Sequence, residues 1–98
     1  MTPVRLEPEA RQDILDAWQW CEQRRPGLGG EFVDAVDDAL ELISAQLLSF
    51  SVVHYGVRQA LVRRFPYSIC DVVDGPAVYV IAVLHASRGE DPWGRWAR

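Results

Sequence analysis

The sequence predicts an α+β fold: one short β-strand, a two-helix hairpin, then a three-stranded antiparallel meander forming one sheet packed on the helices. Three observations carry this. Apolar residues recur at helical spacing up to Leu47, β-branched runs flank Asp74-Gly75, and the last run, Val78–Leu84, is apolar at every position. At 98 residues, with 49% hydrophobic and 24% charged content, the chain suits a single domain, 1–98, burying one core.

The elements follow in order. Val4-Arg5-Leu6 reads as an opening strand ended by Glu7-Pro8. Proline suits the first position of a helix, and Glu9 favours its N-terminus, so the first helix begins at Pro8 and runs to about Arg25, before Pro26. Ala10, Ile14, Ala17, Trp18 and Cys21 form its buried stripe, while Leu15 and Trp20 fall outside it and suggest a second contact surface. Pro26-Gly27-Leu28-Gly29-Gly30 is expected to reverse the chain. It lacks the preceding strand and the Lys-Ser/Thr pair of a phosphate loop. The second helix spans Glu31 to Leu47, with Phe32, Val36, Ala39, Leu40, Ile43 and Leu47 on its apolar face. Asp34, Asp37, Asp38 and Glu41 on the opposite face read as a solvated surface, with no histidine among them to suggest a metal site.

Phe50 to Gly56 reads as a connecting loop, followed by strands at Gln59–Phe65, Tyr67–Asp74 and Ala77–Ala86. Asp74-Gly75 signals a hairpin, and Pro76 argues for a loop longer than two residues. A last strand apolar on both faces must be central and covered on both sides. The helices cover one side, and the tail with Trp93 and Trp96, or a partner, is expected on the other.

Charge and cysteine usage limit the chemistry. All ten basic residues are arginine, planar forks suited to carboxylate or phosphate. The net charge of −4 divides into −6 over residues 1–50 and +2 over residues 51–98, so a polyanion could be met only on one face. Cys21 and Cys70 have no metal-ligand or redox spacing and read as reduced, buried thiols. No metal or cofactor is expected. No run approaches a membrane span and the N-terminus lacks signal-peptide order, so a cytoplasmic location is expected.

Five segments in order carry a family resemblance. They are Arg24-Arg25-Pro26-Gly27-Leu28-Gly29, Glu31-Phe32, Gly56-Val57-Arg58, Val62-Arg63-Arg64-Phe65-Pro66-Tyr67 and Val80-Ile81-Ala82-Val83-Leu84-His85-Ala86-Ser87-Arg88. Together they resemble the RelE/ParE family, toxins of type II toxin–antitoxin modules often labelled plasmid stabilisation proteins. The resemblance implies a growth-inhibiting protein neutralised by a cognate antitoxin that wraps a C-terminal segment around it. RelE-like members cleave mRNA on the ribosome, whereas ParE-like members poison DNA gyrase. Phe65-Pro66-Tyr67 and Leu84–Arg88 look more like the ParE side.

RNA cleavage through a 2′-hydroxyl needs a base, an acid and cations to hold the phosphate. The chain offers Arg58, Arg63, Arg64 and Arg88 as cations and His85 as the proton carrier on the meander, while Arg58 and Arg88 also read as partners for Asp71, Asp74 or the acidic helices. Tyr67 and Tyr55 read as packed aromatics rather than the missing second group. As adjacent strand residues, Arg63 and Arg64 are expected to point to opposite faces. His85 is expected on the same side as Val83, Ile81 and Tyr79. The set suits gripping an antitoxin or a target better than cutting RNA, and Trp93, Arg95 and Trp96 of the tail join it, with Trp20 and Leu15. The first expectation is therefore a gyrase-binding protein rather than an enzyme. The alternatives are an mRNA endonuclease, ribosome-dependent or free, and a decayed toxin that only binds antitoxin. Gly89-Glu90 and Cys70-Asp71, where the sequence departs from the family pattern, motivate the last.

Overall fold

The structure, a computed structural model, describes residues 2–45, 52–54 and 56–86. The elements run β1 (Val4–Leu6), α1 (Pro8–Arg24), α2 (Leu28–Ala45), β2 (Val52–His54), β3 (Val57–Leu61), β4 (Tyr67–Asp74) and β5 (Ala77–His85). The strands form one mixed sheet in the order β1-β5-β4-β3-β2, in which β1 pairs with β5 in parallel and the other pairs are antiparallel. The α+β class is as the sequence predicts, with one strand more. β2 forms inside the segment expected to be a loop, pairing with β3 through a register shift.

The helical hairpin follows from local chemistry. Pro8 opens α1, and Arg25, restricted by the proline after it, is extended at φ −160° and ψ 131° and ends the helix. Gly27 supplies a left-handed φ of 89° in the turn. α2 then starts at Leu28, three residues earlier than expected, and passes through Gly29 and Gly30. One reason is that the Glu22 carboxylate of α1 accepts the Gly29 N–H at 2.7 Å, satisfying an otherwise orphaned donor of the first turn. The other is space: a Cβ on Gly29 would lie 2.7 Å from the Trp18 ring and from Glu22 Cγ. The end of α2 described here is Ala45, and Leu47 lies outside the described residues.

The central position of β5 is as the sequence demands. On the helix side, Val78, Val80 and Val83 join Ala10, Ala17, Cys21, Phe32, Val36, Ile43 and Ile69 in the main core. The other side buries a second cluster of Val57, Cys70, Val72, Ile81, Ala82 and Leu84. Trp93 and Trp96, expected over this face, lie outside the described residues. The pairing of β5 with β4 passes from Ala82 opposite Cys70 to Val80 opposite Asp71, so β5 holds an additional residue there, a bulge. Beyond it the inward and outward positions of β5 exchange.

Two further boundaries differ from the sequence reading. β3 ends at Leu61, and Val62–Pro66 turn rather than extend, with Phe65 N–H bonded to the Val62 carbonyl at 3.1 Å. The β4–β5 hairpin closes with only Gly75 and Pro76 between the paired Asp74 and Ala77. Gly75 at φ 60° meets the positive-φ requirement of the first position in a type II′ turn, and the second position takes the negative φ that proline already has.

Candidate functional site

The turn after β3 decides where the arginines go. Arg64 is the non-glycine residue described with positive φ, 70°, and that left-handed kink abolishes strand alternation. Arg63 and Arg64 therefore do not diverge as two adjacent strand residues would. Both line one groove of about 410 Å³ between the turn and α2, with Leu61, Ala35, Asp38, Ala39 and Leu42. Both arginines are exposed, and the groove's two leucines are too, Leu61 by 77% and Leu42 by 50%. Sequence reasoning found the arginines but missed the leucines. Leu42 sits one residue from the buried Ile43, and Leu61 stood in the interior of the longer strand expected there.

Arg58 is in a different environment. Directly opposite Asp71 in the β3–β4 ladder, it donates Nε to Oδ1 at 2.8 Å and Nη2 to Oδ2 at 3.2 Å, a fork on one carboxylate. Their side chains are 5% and 2% exposed. Burial pushes the Asp71 carboxyl above its ordinary pKa, and the Arg58 hydrogen bond and charge pull it back. Of the two sequence readings of Arg58, a partner-gripping cation or a partner for Asp71, Asp74 or the acidic helices, the structure shows the second, with Asp71.

His85 lies beyond the bulge, so it faces the helices beside Val83, while Tyr79 and Ile81 belong to the opposite face, against the sequence expectation. Its ring meets Trp20 of α1 at 5.3 Å and Tyr67 of β4 at 5.0 Å, both edge to face. Trp20 also contacts Tyr67 at 6.1 Å and carries the Arg24 guanidinium 4.1 Å from its ring centre. Trp20 thus belongs to a half-buried aromatic cluster rather than to an open surface. Trp18, placed in the buried stripe by its spacing, is 40% exposed. The reason is that α1 packs on two neighbours. The sheet closes over its Trp20 flank, while the first turn of α2 closes only part of its Trp18 flank. Leu15 is exposed as expected, at 57%.

One polar contact was not anticipated. The Asp13 carboxylate of α1 accepts the Val83 N–H of β5 at 2.9 Å, just past the bulge, where β1 no longer runs beside β5. Sequence could not pair residues so far apart. Arg88, Trp93, Arg95 and Trp96 lie outside the described residues, as does Tyr55. Among the described residues no group of three or more His, Cys, Asp or Glu side chains is placed to hold a metal ion, and no helix is long and apolar enough to cross a membrane.

Comparison with known proteins agrees with this architecture. A solved structure described as the chromosomal ParDE TA system from P. aeruginosa contains a chain with a similar fold. It superposes with a TM-score of 0.78 over 89% of this chain and 98% of that one, at 15% sequence identity. No curated protein matches the chain. The model of the family described as ParE toxin of type II toxin-antitoxin system, parDE, matches residues 4–89, nearly the whole sequence. The two-helix hairpin on an antiparallel meander is thus the fold of a ParE-type chain, and this protein belongs to the ParE toxin family of type II toxin–antitoxin systems.

Proposed function

We propose that this chain is the toxin of a toxin–antitoxin pair, held inactive by a cognate antitoxin, and that it acts by gripping a protein target, DNA gyrase, rather than by cutting RNA. The observation that carries this reading is the separation of the candidate groups. Arg63 and Arg64 flank a leucine-lined groove against α2, Arg58 is locked on Asp71, and His85 is packed against Trp20 and Tyr67. Phosphoryl chemistry on RNA asks for cations and proton carriers converging on one phosphate. A cationic rim around exposed leucines is instead the surface of a protein-binding module. The acidic first half, at −6, also opposes docking on ribosomal RNA.

The test is to express the protein without its antitoxin and assay gyrase-dependent DNA breaks and mRNA cleavage in parallel. Growth arrest with gyrase-dependent breaks and intact mRNA is the expected result. Cleaved mRNA with unaffected gyrase overturns the reading in favour of an endonuclease. Absence of any growth defect overturns it in favour of a chain that only binds antitoxin.

A further inference from the structure

We infer that Arg64 is kept in a strained turn for recognition: its guanidinium meets a carboxylate on the target protein, and the fold is less stable for holding it there. This rests on the toxin reading above and singles out one residue of the groove as the contact that selects the target.

The backbone is the first observation. Among the described residues φ is positive at Gly27, Gly56, Gly75 and Arg64, so the chain uses glycine at each such position but one. A Cβ on a left-handed residue crowds the neighbouring carbonyl oxygen, which is why glycine, or asparagine, is the ordinary occupant. The conformation is imposed by the neighbours rather than by Arg64 itself. Val62 N–H donates to the Tyr67 carbonyl at 2.9 Å and Phe65 N–H to the Val62 carbonyl at 3.1 Å, which closes the turn around position 64. The Phe65 ring is held edge-on to Phe32 at 5.5 Å, and Val62 is buried. Glycine or asparagine at position 64 would follow the same path with less strain.

The second observation is that the fold draws no bond from this side chain. Among the described residues the Arg64 guanidinium makes no hydrogen bond or ion pair, although Asp38 lines the same groove. Other arginines do serve the fold: Arg58 lies against Asp71, Arg25 against Glu31 and Arg24 over Trp20. A strained residue whose side chain is exposed and unbonded points to a contact outside the chain. Arg63 shares the groove but is not left-handed, so it carries no such signal.

The surroundings fix the chemistry of that contact. Leu61 and Leu42 stand exposed in the same groove, a surface suited to protein, and a guanidinium beside them takes a carboxylate in a planar fork. A phosphate backbone would instead run beside Asp38 and the exposed Asp34, Asp37 and Glu41 of α2.

The test compares the full-length wild type with Arg64→Gly, Arg64→Asn and Arg11→Gln, the last removing one exposed charge outside the groove. Asparagine tolerates the left-handed turn without the chain freedom that glycine adds, so agreement between the two variants isolates the side chain. Both are expected to melt at the wild-type temperature or above it, by up to about 5 °C. Both should need about tenfold or more protein for the same gyrase-dependent DNA breaks and should lose growth arrest, while Arg11→Gln stays within about twofold. Wild-type activity in both position-64 variants overturns the inference and leaves the toxin reading standing. A melting temperature lowered by more than about 5 °C in both means that the side chain serves the fold, and overturns it too. So does a loss of affinity for the antitoxin encoded by the adjacent reading frame with gyrase inhibition intact, which assigns Arg64 to neutralisation. Cleavage of mRNA by the wild type that both variants lose overturns it in favour of a phosphate contact. A wild type that arrests growth with neither gyrase-dependent breaks nor mRNA cleavage overturns the gyrase reading alone, because arrest lost in both variants still reports a target contact through Arg64.

Discussion

The buried Arg58–Asp71 pair makes a quantitative demand on stability. Asp71→Asn keeps the size of the side chain but removes its charge, leaving a guanidinium that is 5% exposed without its counter-ion. Breaking a buried, hydrogen-bonded pair from one side costs about 3–5 kcal/mol, whereas surface pairs are worth about 1 or less. The low exposure and the two-bond geometry, 2.8 and 3.2 Å, place this pair in the first class. Against a total stability of about 5–15 kcal/mol, that loss brings the domain close to unfolding. For a domain of this size it corresponds to a fall in Tm of roughly 12–40 °C. Urea melts at low temperature, with linear extrapolation, give the free energy directly. Arg58→Met should cost a similar amount, and Arg58→Met/Asp71→Leu should recover most of it, because no uncompensated charge remains. A loss below about 1 kcal/mol in Asp71→Asn would mean that water reaches the pair and would refute the reasoning. So would a double variant as unstable as either single one.

Further outcomes follow from the same geometry. Because burial outweighs the Arg58 bonds, the Asp71 carboxyl titrates above the ordinary aspartate value, and its 13C shift should show this; a midpoint below that of a free aspartate refutes the ordering of the two effects. The sign of the linkage is then fixed: between the unfolded and the raised folded pKa the native state holds the extra proton, so this group's contribution falls as pH rises through that window and is level above it. Gly29→Ala gains about 1 kcal/mol of helix propensity but places a Cβ 2.7 Å from the Trp18 ring, so a net loss of about 1–2 kcal/mol is expected in thermal melts; a more stable variant would sink the close-approach argument. His85→Phe keeps an edge-on ring beside Trp20 and Tyr67 while deleting the proton carrier, and toxicity in a growth assay should persist; its abolition in a folded variant would assign His85 a chemical role. Burial raises the Cys21 thiol pKa despite nearby Arg24, and Cys70 is also buried, so neither should be alkylated by iodoacetamide until the protein unfolds; rapid native labelling of either contradicts the core described here.

Much of the fold is already written in the order of residues, because it depends on local periodicity and punctuation. Pro8 and Pro26 bound α1, the spacing of Phe32, Val36 and Ile43 sets the buried face of α2, and Asp74-Gly75 marks the hairpin. The apolar run Val78–Leu84 requires a central strand, and the segments from Arg24 to Arg88 resemble the RelE/ParE family in residue order alone. What the sequence could not decide are the faces, since a face is the outcome of register and a single irregularity reverses it. The additional residue of β5 turns His85 toward Trp20. The left-handed Arg64 brings Arg63 and Arg64 to one groove, and opposition across the β3–β4 ladder takes Arg58 out of the surface set. Trp18 and Trp20 exchange their expected roles for the same kind of reason: spacing says which residues share a side of α1, but only the packing of the sheet and of α2 says how far each flank is closed.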